Sequence, residues 1–272
     1  MKITDIRELQ EVAKIARKNI LEQVYSAKSG HPGGALSCID ILTVLYFNQM
    51  NIDPEEPKME YRDRLVLSKG HSSAALYAIL AEKGFFPVEE LKEFRKLGSR
   101  LQGHPDLNKL PGVDMTTGSL GQGLSAACGM AMASKLKKQD NRIYCIVGDG
   151  EIQEGQIWEA AMTASHYKSD NLCVIVDNNN LQIDGKVTDV MSPYPIVEKL
   201  ESFGFKVFKV DGNNIKELVE VFENAKLVKG KPVAIVANTV KGKGISFMED
   251  KAEWHGKAPN EEQYNQAISE LA

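Results

Sequence analysis

The sequence has few cysteines, no surplus of positive charge and no long apolar run, and each shortage excludes a class of protein. Cysteine occurs four times in 272 residues, at Cys38, Cys128, Cys145 and Cys173, with no CxxC spacing and with apolar neighbours. That pattern reads as reduced core thiols rather than a disulfide framework or a zinc site. Lys and Arg number 33 against 37 Asp and Glu, a net charge of −4, whereas a dedicated nucleic-acid binder carries a basic surplus. No stretch approaches the ~18 apolar residues of a membrane span; Ala74 to Ala81 is among the longest. The opening Met1-Lys2-Ile3-Thr4-Asp5 lacks a basic segment followed by an apolar one, so no secretory signal is expected and a cytoplasmic location is. Internal repeats and low-complexity tracts are absent too.

What is present is an ordinary globular composition, 43% hydrophobic and 26% charged. A chain this long buries roughly three quarters of its unfolded surface, enough for a full core without staples. Ile6, Leu9, Ala13, Ala16 and Ile20 recur at helical spacing, so the first two dozen residues read as an amphipathic helix. A second helix is expected after Pro32, roughly from Leu36 to Phe47, others over Ser73 to Lys83, Leu120 to Leu136, Glu154 to Tyr167 and Ile215 to Ala225, and a short one at the end. Continuous apolar strands are expected at Arg64 to Ser68, Ile143 to Val147, Leu172 to Val176, Phe205 to Val210 and Pro232 to Ala237. Such strands, separated by helices, imply an α/β fold with a mostly parallel sheet covered on both faces, a three-layer α/β/α arrangement. They amount to one sheet, so residues 1–272 are expected to form a single domain. Lys241 to Pro259 is Gly- and charge-rich and reads as a long functional loop.

Histidine is scarce but oddly placed. Four of the five touch a glycine, in Gly30-His31-Pro32, Gly70-His71-Ser72, Gly103-His104-Pro105 and His255-Gly256; only His166 sits in a plain helical context. Imidazoles on Gly/Pro loops are displayed rather than packed, and can donate to substrate hydroxyls or move protons near neutral pH. No HExxH or His-x-His pairing supports a zinc site.

In an open parallel sheet, ligands bind beyond the carboxyl ends of the strands. Gly148-Asp149-Gly150 closes one strand and Asp177 to Asn180 closes the next, placing Asp149 and Asn179 one βαβ step apart. A carboxylate, an amide oxygen and a backbone carbonyl suit a hard cation such as Mg²⁺, with charge left over for an anionic co-ligand such as a diphosphate. The same residues, taken alone, also fit a plain strand-to-helix turn and a polar loop. Thr117-Gly118-Ser119-Leu120-Gly121-Gln122-Gly123 opens a helix and reads either as an anion cradle or as tight helix packing.

Taken together and in order, these segments resemble the N-terminal, diphosphate-binding part of transketolase over nearly the whole chain. The matching stretches are Ser29 to Gly34, Arg62 to His71, Gln102 to Pro105, Thr116 to Gly123, Gly148 to Glu151 through Asp177 to Asn179, and Lys241 to Gly244 with Trp254 to Lys257. The resemblance implies the thiamine diphosphate-binding fold, with thiamine diphosphate held through Mg²⁺ or another divalent cation such as Ca²⁺ or Mn²⁺. Asp149, Asn179 and the carbonyl of Leu181 would be the metal ligands. His71, Gly150, Lys241 and His255 match positions near the diphosphate. Gly118 and Leu120, with Ser119 between them, match the aminopyrimidine end. His31, His104 and His255 match positions at the first hydroxyls of a donor sugar. Lys69 stands where the family often has asparagine, and Pro57 to Tyr61 lacks a frequent tryptophan.

Single-chain members are more than twice as long, with a second domain that carries the glutamate protonating the aminopyrimidine and most of the phosphate-gripping arginines. Glu154 matches a glutamate that reaches towards that one across a subunit interface. The resemblance therefore implies the N-terminal subunit of a split transketolase, moving a two-carbon ketol unit from a ketose phosphate to an aldose phosphate. Its partner would be a C-terminal subunit, in a heterotetramer of two of each chain. The alternatives are a subunit of another thiamine enzyme, 1-deoxyxylulose-5-phosphate synthase-like or a 2-oxo acid dehydrogenase alpha subunit, and a non-catalytic cofactor-binding subunit.

Overall fold

The structure, a computed structural model, describes residues 2–272. Its main sheet has five parallel strands: β1 (Arg64–Leu67), β2 (Ile143–Gly148), β3 (Leu172–Asn178), β6 (Lys206–Asp211) and β7 (Val233–Asn238). They lie side by side in the order β1-β2-β3-β7-β6. Between β3 and β6 the chain forms a small antiparallel hairpin, β4 (Leu181–Gln182) and β5 (Gly185–Lys186). Among the described residues ten α-helices run in chain order: α1 (Ile6–Ala27), α2 (Pro32–Ser37), α3 (Ile39–Val44), α4 (Ser73–Lys83), α5 (Gln122–Leu136), α6 (Gly155–His166), α7 (Val187–Val190), α8 (Ile196–Ser202), α9 (Ile215–Leu227) and α10 (Glu261–Glu270).

Strand side chains alternate between two cores because successive Cβ atoms point to opposite faces. Tyr144, Ile146, Cys173, Ile175 and Ile235 pack with α1, α3, α4 and α9. Ile143, Cys145, Val147, Val174 and Val236 pack with α5, α6 and α8 on the other face. Both faces are covered, which is why the strands read as unbroken apolar runs. All four cysteines are buried and free.

The helix expected from Leu36 to Phe47 is instead broken at Cys38, with α2 before it, α3 after it and a wider turn over Leu45–Gln49. Cys38 Sγ donates back to the Gly34 carbonyl at 3.3 Å. Such back-bonding competes with the helical ladder and bends it. The helix expected from Leu120 starts two residues later, at Gln122, because Gly121 takes a positive φ of 86° as its cap.

Parallel strands send all their C-terminal ends to one edge. Ser68 to His71 leave β1, Asp149 leaves β2, Asn179 leaves β3 and Thr239 to Lys241 leave β7. Four neighbouring strands thus deliver the polar segments to one place. The register pairs Gly148 with Asp177 and Asp177 with Ala237, so the next residues on each strand are neighbours by construction.

Candidate active site

A cleft of about 330 Å³ opens at this edge, and the expected residues line it with two exceptions, Ser119 and His104. His104 is exposed beside the mouth: a Cβ added at Gly118, whose φ is 150°, would lie 3.1 Å from the His104 ring. Glycine is needed there both for that close approach and for its backbone. Glu154 lines the cleft as the residue capping α6, and is exposed.

Asp149 is buried at the turn after β2. Its carboxylate accepts N–H bonds from Gly150, at 2.8 Å, and from Asn180. Burial, then the neighbouring Asp177 carboxylate, push its pKa up to about 6 against those two donors. Asn179 turns its amide NH₂ towards Ser37 and Asp177, at 3.5 and 3.4 Å, so its oxygen faces away from them and accepts from Leu181 N–H at 3.1 Å. The Leu181 carbonyl accepts from Lys241 Nζ at 3.0 Å. Three oxygens of the expected types therefore converge on one wall, and one of them already holds a cation. A carboxylate raised by burial and lacking a cationic side-chain partner is one a divalent ion would relieve, and one charged with two neutral oxygens is a hard-ion donor set. The residues fit the metal.

The same cleft carries a cluster of imidazoles. His31, His71 and His255 form a triangle with ring centroids 5.1–5.5 Å apart. Burial keeps them neutral, aided by surrounding cations: His31 falls to about 4 with Arg95 as the next cause, and His255 to about 3 with Lys241. His71 drops well below its ordinary value through burial and Lys69, and His104 drops through burial and Arg95. Lys241 itself falls to about 8, from burial and then Lys69, with Asp149 pulling the other way. Its partners are the Leu181 carbonyl and His255 Nδ1, the latter at 2.9 Å. Neither neutralises it, so an anion would be welcome at this spot.

Three organising groups escaped the sequence reading. Lys69 is buried against Asp177, which also takes Ser37 Oγ at 2.6 Å and Thr239 Oγ1. Burial opposes the Lys69 charge, but Asp177 outweighs it and raises the pKa. Glu151 accepts from Ser68 Oγ, Gly121 N (2.9 Å) and Gly148 N (3.0 Å), stitching the loops after β1, before α5 and after β2. Burial raises its pKa while those donors hold it down. Arg95 reaches His31 from a loop 64 residues away in sequence. The β4–β5 hairpin, also unforeseen, forms a lip carrying Leu181 and the exposed Ile183.

The family model described as transketolase, thiamine diphosphate binding domain, matches residues 9–271. The chain belongs to this family. Among its relatives in this transketolase family is the 6-deoxy-6-sulfo-D-fructose transketolase subunit SqwG of Clostridium sp. (strain MSTE9), 47% identical over 97% of this chain and 96% of that one. An apulose-4-phosphate transketolase subunit of Phocaeicola vulgatus is 44% identical over 94% of this chain and 91% of its own. Transketolase of Homo sapiens is 42% identical over 98% of this chain but 42% of its own length. The crystal structure of transketolase from Campylobacter jejuni superposes with a TM-score of 0.93 at 38% identity, over 98% of this chain and 43% of that one. The chain thus spans less than half the length of the solved transketolases it matches, while matching transketolase subunits nearly end to end.

Proposed function

We propose that residues 1–272 form the cofactor-binding, N-terminal subunit of a two-chain transketolase, which transfers a two-carbon ketol unit from a ketose phosphate to an aldose phosphate. The observation that carries this reading is the gathering in one cleft of Asp149, Asn179 and Leu181 with the neutral rings of His31, His71 and His255, Lys241 bridging the Leu181 carbonyl and His255. Near end-to-end matches to chains named as transketolase subunits support it.

In this reading Asp149, Asn179 and the Leu181 carbonyl hold a divalent cation, Mg²⁺ in the first instance. Lys241 and His71 face the diphosphate, while Gly118, Ser119 and Leu120 offer backbone to the aminopyrimidine. Thiamine diphosphate, when bound, supplies the electron sink for cleaving the bond beside a ketose carbonyl. His31, His104 and His255 orient the sugar hydroxyls, and imidazole is the group here suited to moving a proton from one of them. Glu154, exposed just before α6, meets the partner chain in this reading. The complex is a cytoplasmic heterotetramer of two of each chain. No helix among the described residues is long and apolar enough to cross a membrane.

The test is to co-purify the chain with its C-terminal partner and to assay the complex with xylulose 5-phosphate and ribose 5-phosphate. The names of the two relatives add a sulfonated ketose and apulose 4-phosphate as donors to try. Two-carbon transfer by the loaded complex is expected from at least one donor; none from any of them would sink the reading.

A further inference from the structure

Two of the three clustered imidazoles have one ring nitrogen already taken, and in both cases by a cation. Arg95 Nη2 lies 3.3 Å from His31 Nδ1, and Lys241 Nζ lies 2.9 Å from His255 Nδ1. A guanidinium has five donors and no acceptor, and an ammonium has three donors and none. Neither can take a hydrogen from imidazole, so both Nδ1 atoms must be the bare, accepting nitrogens. A neutral imidazole carries one N–H, which in both rings then sits on Nε2.

The arrangement is held from behind. Arg95 also donates to Ser29 Oγ at 3.1 Å and to the Gly103 carbonyl at 3.4 Å. A Cβ at Gly103 would come 3.0 Å from its guanidinium carbon, so glycine there leaves the fork room without a shift. Among the described residues no carboxylate hydrogen-bonds to Arg95, which leaves the fork directed at an imidazole, a carbonyl and a hydroxyl. Lys241 is fixed likewise by the Leu181 carbonyl.

We propose that Arg95 and Lys241 are positioning residues that lock His31 and His255 in the Nε2–H tautomer, making both rings hydrogen-bond donors to substrate oxygen and not proton acceptors. The inference rests, for its role in turnover, on the ketol-transfer reading above. A ring can take a hydroxyl proton only through a bare nitrogen, and the one left for a ligand on His31 and on His255 already carries hydrogen. The acceptor is then a base outside this pair, the remaining imidazoles at the site being His71 in the cleft and His104 beside its mouth. In that step the substrate O–H bond breaks, the proton goes to the bare nitrogen of one of those rings, the electron pair stays on oxygen, and the Nε2–H groups of His31 and His255 steady the charge.

The measurement is a long-range ¹H–¹⁵N correlation spectrum of the chain labelled at histidine nitrogens, with His31→Gln and His255→Gln identifying two of the five rings. Both rings should show a bare Nδ1 and a protonated Nε2. Arg95→Met should release His31 into a tautomer mixture while sparing His255, Lys241→Met should do the reverse, and Arg95→Lys should restore the His31 pattern. A protonated Nδ1 on either ring, or spectra unmoved by both methionine variants, would overturn the proposal. If one variant fails to fold, the other still decides. In the complex, Arg95→Met should lower kcat by about tenfold or more with cofactor affinity unchanged. Lost affinity with kcat intact would count against it. The spectra need no substrate, so the stated tautomers in a complex without ketol transfer would defeat the functional reading and leave this one standing.

Discussion

Asp149 is held at odds with its charge: burial and Asp177 raise its pKa to about 6 from an ordinary 3.8, and its own N–H partners only partly offset them. A group raised on folding adds stability at low pH that is lost as pH rises through about 6, so at neutral pH the free carboxylate is a cost. Metal binding needs the carboxylate form and must expel the proton below that value. The apparent Mg²⁺ affinity, followed by calorimetry with thiamine diphosphate present, should therefore fall as pH drops through about 6, approaching about tenfold per pH unit. Asp149→Ala should abolish the thermal stabilisation given by Mg²⁺ and thiamine diphosphate; unchanged stabilisation would remove Asp149 from the metal site. His31 shifts in the opposite sense. The unfolded chain protonates it near 6.5 and the fold only near 4, so its contribution is stability lost as pH falls across that window. His31→Gln should make the low-pH decline of unfolding free energy shallower, by at most about 1.4 kcal/mol per pH unit and less as solvent screens this half-open ring. An unaltered slope in urea unfolding between pH 6.5 and 4 would contradict the assignment.

Helix α5 contains two glycines that replacement by alanine should separate. Alanine ordinarily stabilises a helix interior by about 0.5–1 kcal/mol over glycine. At Gly129 a Cβ meets nothing within 4 Å, so Gly129→Ala should raise stability by about that amount. At Gly123 the same Cβ would sit 2.5 Å from Ser68 Oγ and 2.8 Å from Ser68 Cα. Ser68 cannot yield, because its hydroxyl is bonded to Glu151, so Gly123→Ala should cost about 1–3 kcal/mol. Thermal melting of the two variants checks both signs. The contrast also marks what could be read in advance. Helix α5, the five strands and the Gly148-Asp149-Gly150 turn were legible because each is a local pattern, an apolar run or a break in one. The hairpin over Leu181–Lys186 was not, since two-residue strands have no period to detect. Helix α8, seven residues just after Pro193 and Pro195, was not read at all, being too short to show a helical period. In the site, contiguous motifs at strand ends gave away Asp149, Asn179 and His71. Glu151, Lys69 with Asp177, and Arg95 were invisible as organisers because each acts on groups 30 to 108 residues distant.

At the scale of the whole molecule, the net charge of −4 hides a local contrast, for the cleft concentrates Lys69, Lys241 and, beside His31, Arg95 within a mildly acidic chain. That contrast favours an anionic cofactor over general adhesion to anions: Asp177 neutralises Lys69, but Lys241 and Arg95 hydrogen-bond to no carboxylate among the described residues and focus the field there. The acids at the cleft are already engaged or face outward. Asp149 accepts from Gly150 and Asn180, Glu151 is spent on Ser68, Gly121 and Gly148, and Glu154 and Asp184 are exposed. The mouth is rimmed by Leu120 and Ile183, 38% and 68% exposed, so water reaches the rings of the histidine wall. Proton transfer between weak acids and bases is poorly controlled in such an open site. The isolated chain should accordingly bind Mg²⁺ and thiamine diphosphate, seen as a raised melting temperature, yet show negligible ketol transfer. Adding the C-terminal partner should restore turnover until the two chains are equimolar, with no further gain beyond. Full turnover by the chain alone would show that one wall of histidines and oxygens suffices. A melting temperature unmoved by the cofactor would show that the partner is needed even to form the binding site.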